Sequence, residues 1–284
     1  MNRKLRALAA LAGGIAGIAG GAAVVGNILW NRATGKAFRR LEMVPPDSRP
    51  KTFSPDLLAG LPAPVVRYFQ FALTPGQPIR TRFAFEQEAE FRTGGRDAPW
   101  SPLTAEQRFS TQPPGFVWDA RIRMAPLVEV RVRDSYLDGT GAMRARIAGV
   151  IPVVDQSGSP ELAAGALHRY LAEAVWFPTA LLPGQGVVWE PIDDRSARAT
   201  LTDGETTVSL DFRFGENGEI VQAYTPARAR DVNGTAVPTP WLCSYRDYTQ
   251  VDGMRIPAEG EVGWVLPEGL SSYWRGKVRL RPAA

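Results

Sequence analysis

The chain has 284 residues, 44% of them hydrophobic, enough for one large domain with a substantial core. Its net charge of +4 sits at the N-terminus, where Arg3, Lys4, Arg6, Arg32, Lys36, Arg39 and Arg40 face Glu42 alone. The rest is slightly acidic, which argues against a nucleic-acid groove, and the lone Cys243 excludes an internal disulfide or a cysteine-rich metal site.

The first element predicted is a membrane anchor. A basic start, "MNRKLR", precedes a run without charge from Ala7 to Trp30. As a helix of about 24 residues it would exceed the roughly 30 Å core of a bilayer. A secretory signal has a shorter apolar core of about 7–15 residues, although "GGAAVVG" offers small residues for cleavage. We read residues 1–30 as an anchor or signal sequence and residues 31–53 as a basic, then Pro-rich linker. Residues 54–284 form one domain. The expected location is the bacterial inner membrane, crossed once, with the domain extracytoplasmic.

"LLAGLPAPVVRYFQFAL" places Val65, Val66, Phe69 and Leu73 at helical spacing, and "TPGQP" ends the helix. The period then changes to two. In "RFAFEQEAEF" Phe83, Phe85, Ala89 and Phe91 share one side, and Glu86, Glu88 and Glu90 form an acidic stripe expected to face water. Phe116, Trp118, Ala120, Ile122 and Met124 alternate in the same way, as do Val128, Val130, Val132 and Tyr136. So do Val208, Leu210, Phe212 and Phe214, and further strands follow around Trp264. Asp138-Gly139, Asp203-Gly204, Asn217-Gly218, Asn233-Gly234 and Asp252-Gly253 mark hairpin turns.

These patterns predict an α+β, mainly β, fold. It is a large curved antiparallel sheet of roughly 10–12 strands, a half-barrel, with two helical segments capping its concave face and a transmembrane helix before it. The second helix is cued by Ser159 as N-cap, Pro160 in the first turn and Glu161 at the positive end. Its apolar face carries Leu162, Ala166, Leu167, Tyr170 and Leu171, with Arg169 and Glu173 one turn apart at one edge. Trp176 and Phe177 follow, and Pro178 stops it.

The segments "LPAPVVRYFQFAL", "VRDSYLDGTGAM", "GVIPVVDQSG", "HRYLAEAVWFPTALLPG" and "YRDYTQVDGMRIPAEGEV" resemble a bacterial family of uncharacterised proteins, a domain of unknown function. The strand count and paired helices resemble, in architecture, the LolA-type and LppX-type carriers. That resemblance implies an apolar cavity for lipid or acyl chains beneath the helices. Neither resemblance supplies a catalytic residue.

The candidate ligand-binding residues are Phe116, Trp118, Val130, Val132, Asp134, Tyr136, Arg169, Tyr170, Glu173, Trp176, Phe177, Phe212 and Trp264. Large rings suit an apolar cavity and a solid core equally. Asp134 shares the parity of Val130, Val132 and Tyr136, so it either points inward, with Arg169 as a candidate partner, or sits past a bulge. His168, the only histidine, lies at the margin of the apolar face with no nucleophile motif to serve. No catalytic residue, metal site or cofactor is assigned. The expected partner is a lipid or other apolar small molecule, with the membrane reached through the first helix. The alternatives are an envelope protein-interaction domain with a filled core, and an enzyme using Asp134, Arg169, Glu173 or His168 in one pocket.

Overall fold

The computed structural model describes residues 3–43, 52–126 and 128–281, with side chains in the first helix from Gly20 onward. The first half of the chain gives α1 (Arg3–Glu42), α2 (Ala63–Ala72), β1 (Arg82–Phe91), β2 (Ser101–Thr111), β3 (Pro114–Ala125), β4 (Val128–Leu137), β5 (Thr140–Ile147) and β6 (Ile151–Ser157). Then comes α3 (Pro160–Glu173), extended by 3-10 turns at Ala174–Trp176 and Pro178–Leu181. The second half gives β7 (Val187–Asp193), β8 (Ser196–Asp203), β9 (Thr206–Phe214), β10 (Ile220–Val232), β11 (Thr235–Val251), β12 (Met254–Leu266) and β13 (Gly269–Leu280).

All 13 strands lie in one antiparallel sheet, in the order β6-β5-β4-β3-β2-β1-β13-β12-β11-β10-β9-β8-β7. It is one strand wider than the expected range. Two meanders, β1 to β6 and β7 to β13, meet where β1 pairs with β13, and α3 links the two outer edges. The tight turns fall where the dipeptides place them. Asp138-Gly139, Asn233-Gly234 and Asp252-Gly253 have positive φ at both residues, as two-residue hairpins of this twist require.

Each face of the sheet has its own cover. On the concave side, α2 and α3 bury the alternate residues that the period of two selects. Phe83, Phe85, Phe109, Phe116 and Phe212 join Tyr68, Phe69, Leu167 and Leu171 in one core. The acidic stripe of β1 lies on the convex side, where Glu86, Glu88 and Glu90 pair with Arg281, Arg279 and Arg275.

The convex side is also covered by α1, and here the structure departs from expectation. Residues 31–42, expected to begin the linker, continue the helix and dock on β2, β3 and β4. Asn27, Trp30, Asn31, Thr34, Phe38 and Leu41 recur at the spacing of one helix face. Trp30 donates its indole N–H to Asp119 at 2.6 Å. Arg131 donates to Asn27, Asn31 and Asp119, and Arg133 donates to the Thr34 hydroxyl. Among the described residues, no helix is long and apolar enough to cross a membrane. The side chains of residues 7–19, most of the expected anchor, lie outside the described residues.

Candidate functional site

The site is built around α3, which crosses the concave face. Its start is fixed as the sequence predicts: the Ser159 hydroxyl accepts from Leu162 N at 3.1 Å and Pro160 opens the helix. Gly141 of β5 sits beneath this first turn, and a Cβ there would lie 2.5 Å from the Leu162 carbonyl oxygen. Any larger residue would push the helix off the sheet.

One turn before its end, α3 lowers a charged group into the core. Arg169 Nη1 donates to Asp134 Oδ2 at 2.8 Å, and Arg169 Nε donates to Glu173 Oε1 at 2.9 Å. The guanidinium lies over the rings of Trp118 and Phe116, with its carbon 4.7 and 5.1 Å from their centroids. The second Glu173 oxygen accepts from Gln107, Gln107 accepts from Gln87, and Gln87 accepts from the Trp118 indole. A line of polar side chains thus runs from the helix across four strands, β4, β3, β2 and β1. The register Trp118↔Asp134 and Phe116↔Tyr136 is unbroken, so β4 has no bulge at Asp134 and the acid points inward. Burial works against the Arg169 charge, but its two carboxylates outweigh that effect and raise its pKa above the ordinary arginine value. Burial also raises the Glu173 pKa, with Arg169 and Gln107 pulling in the opposite direction.

The rings around this network pack on one another. Phe177 lies 4.3 Å from Phe109, 5.3 Å from Phe83 and 5.6 Å from Tyr170, between ring centroids. Phe116, Tyr136, Phe177 and Phe212 have no exposed surface, and Trp118, Tyr170 and Trp176 have almost none. The concave face under α3 is therefore filled by side chains. Val130 and Val132 lie toward the margin of the same face, only partly buried. Trp264 is farther away, beneath Arg228, whose guanidinium also covers Trp241 and donates to the Gly165 carbonyl of α3. A shallow recess of about 30 Å³ lies elsewhere, between the end of α1 and the β2–β3 turn, and holds little more than a water.

Three of the four groups considered for chemistry converge: Asp134, Arg169 and Glu173. His168 does not join them. Its Nδ1 bonds the Ala164 carbonyl at 2.9 Å within its own helix. Burial and the nearby Arg228 lower its pKa to about 4. The unfolded chain therefore takes up a proton near pH 6.5 while the folded chain does not. The resulting stability is complete above pH 6.5 and is lost as the pH falls from 6.5 toward 4, by up to about 3 kcal/mol. His168→Gln should flatten that part of the stability profile, measured by urea unfolding at pH 7 and pH 4.5. Cys243 is buried, which pushes its thiol pKa well up and leaves it a poor nucleophile.

Sequence reasoning missed Gln87, Gln107, Arg228 and Trp274. A signal existed for two of them. Gln87 shares the inward parity of Phe83 and Phe85, and Gln107 that of Leu103 and Phe109. A polar residue on an apolar face needs a partner.

Four further buried polar atoms near α2 and α3 have no partner among the described residues: the indole N–H groups of Trp176 and Trp274, the Thr179 hydroxyl and the Tyr68 hydroxyl. Trp176 and Trp274 lie 6.3 Å apart, and both flank Gly260 of β12.

Among solved structures, the chain is similar to a LolA superfamily protein, NE2245, from Nitrosomonas europaea, at 11% identity. The match covers 78% of this chain and 93% of that one, with a TM-score of 0.35. It is also similar to a beta-barrel-like protein of the domain of unknown function DUF1849 from Brucella abortus, at 11% identity, 71% and 98% coverage and a TM-score of 0.21. No curated protein matches. Residues 59–280, from just before α2 to the end of β13, match the family of unknown function DUF6920, and the chain belongs to that family.

Proposed function

We propose that this protein binds an amphiphile with an acyl-like chain beneath α3, and that α3 with its 3-10 extension through Leu181 is a lid. The observation that carries this reading is the set of orphaned donors inside the lid contact. A buried donor without a partner costs about 1–3 kcal/mol. Trp176, Trp274 and Thr179 place three such donors in the interior beside the Arg169 network, whose own polar groups are bonded to one another. An ester, amide or carboxylate entering with a hydrocarbon chain would supply acceptors to them, and the surrounding rings would take the chain.

The Arg169 network supports a lid that opens. An apolar contact of the same size holds by area alone. An ion pair sunk among rings has already lost its hydration, and part of that cost returns when the helix lifts and water reaches the charges. Such a latch is specific in register and cheap to release. In this reading the domain is tethered to the bacterial inner membrane by the uncharged run in α1, faces outward, and takes a lipid as its ligand.

The completeness of the packing favours a second reading, a protein-interaction domain whose core never opens. Titration of the full chain with a fluorescent fatty acid, read by energy transfer from tryptophan, separates the two. Uptake together with faster amide exchange across residues 160–182 supports the lid. No uptake and unchanged exchange leave the filled-core reading.

Trp176→Phe and Trp274→Phe should weaken uptake about 5–10-fold each, the value of about one hydrogen bond. Their thermal midpoints should fall only modestly, because losing an orphaned donor offsets part of the cost of the cavity left by the smaller ring. A large loss of stability with unchanged uptake would refute the role given to these indoles.

A further inference from the structure

We infer that one end of the half-barrel, formed by the β3–β4 and β5–β6 hairpin tips, rests on an anionic lipid surface where α1 leaves the sheet. The inference rests on the tether in the reading above and is independent of the ligand.

The geometry begins with α1. Gly26 is where the helix meets the β5–β6 tip, since a Cβ there would lie 2.6 Å from a Val150 methyl group and 2.7 Å from the Gly149 carbonyl oxygen. The other end of the docked segment lies at the opposite end of the sheet, where Arg40 pairs with Asp138 in the β4–β5 turn. The helix therefore runs along the convex face and continues past the tips toward its N-terminus. The uncharged stretch before the contact, Ala7 to Val25, is about 19 residues, or about 28 Å of helix. That matches the roughly 30 Å hydrocarbon core of a bilayer. A helix of this length inserted up to Gly26 brings the two tips to the lipid headgroups.

The tips carry the chemistry for that position. Met124 and Val128 flank the β3–β4 tip, Val150 and Ile151 form the β5–β6 tip, and Val153 follows on β6; all five are exposed. Ala148 N donates to the Glu129 carbonyl, so the two tips are joined. Arginines rise immediately behind them. Arg121, Arg131 and Arg146 stand in register across β3, β4 and β5, with Arg123 one step closer to the tip. Arg131 is engaged with α1 and Asp119. Arg121, Arg123, Arg146 and Arg32 have no ion-pair partner among the described residues. Apolar side chains at an edge, backed by guanidinium groups that outnumber the one acid in register with them, Glu129 opposite Arg123, match the boundary between acyl chains and phosphates.

The test uses the full chain in vesicles of one part phosphatidylglycerol to two parts phosphatidylcholine. An environment-sensitive fluorophore is placed at Ile151→Cys or Val188→Cys, one variant at a time. The buried Cys243 should not take the label in the folded protein. Val188 is also exposed and apolar, but it lies on β7, close to the β8 end where Asp203 bonds Tyr136, far from the tips. In protein that floats with the vesicles, the label at position 151 should shift to the blue. A nitroxide lipid should quench it at least twofold more than the label at 188. That difference should fall by half or more with Arg121→Glu, Arg123→Glu and Arg146→Glu combined. Equal quenching at the two sites overturns the seating alone. A label at 151 already shielded without vesicles means that a second copy covers the tips, and this also overturns it. A chain that fails to float overturns tether and seating together, while fatty-acid uptake still reports separately on the lid.

Discussion

Arg169→Met should destabilise the protein by about 3–5 kcal/mol at neutral pH, one of the largest single effects available in this chain. The change removes one cation and strands two acids. Asp134 and Glu173 are only 8% and 13% exposed, and Arg169 is the ion-pair partner of both. The deficit should narrow as the pH falls, because protonation of Glu173, whose pKa burial raises, removes uncompensated charge. Combining Arg169→Met with Asp134→Val and Glu173→Leu should restore stability to within about 2 kcal/mol of the wild type, the remainder reflecting the Gln107 donor left without its acceptor. Urea unfolding of the single and triple variants at two pH values tests this. A single variant that loses less than about 1 kcal/mol would show that the network is wet and does not latch the lid.

Phe177→Ala should cost a similar amount, about 3–5 kcal/mol, by a different route. The ring is fully buried at the junction of the two 3-10 turns and touches Phe83, Phe85, Phe109 and Tyr170. Its loss leaves a cavity that rings on rigid strands cannot close. Phe177→Leu keeps most of the volume and should cost less than half as much. Hydrogen exchange should distinguish this change from a uniform loss of stability, rising first across residues 174–182. Exchange that rises equally in β12 and β13 would mean that the lid and sheet unfold as one unit.

Much of the architecture could be read from the period of two. Phe83 and Phe85, Phe116 and Trp118, and Phe212 and Phe214 are buried as their spacing requires. Asp134 was legible as an inward acid only on condition that β4 is regular, with Arg169 as a candidate partner; a bulge before Asp138-Gly139 fitted the sequence equally, and the unbroken register decides it. The fate of the aromatic set was not legible, since rings around a hollow and rings in a solid core occupy the same positions in a sequence. The docked half of α1 was hidden for another reason. Trp30 ends an uncharged run, and Arg39 and Arg40 resemble linker residues until their contacts are known. The helix face of Asn27, Trp30, Asn31 and Thr34 is polar because it answers Arg131, Arg133 and Asp119, which no local pattern reveals.

The pairing of β1 with β13 has a consequence for how the protein is made. Every other strand finds its partner in the next hairpin, but Glu90 pairs with Arg275 across most of the chain. Until the last strand is in place, β1 lacks its β13 partner and its outer edge is open. An open edge invites pairing with another incompletely folded copy. The charges along this seam answer that hazard. Glu86, Glu88 and Glu90 repel a second β1 edge, whereas Arg275, Arg279 and Arg281 of the correct partner attract it. The acidic stripe therefore acts before the fold exists, holding one edge in reserve for the strand that completes the sheet.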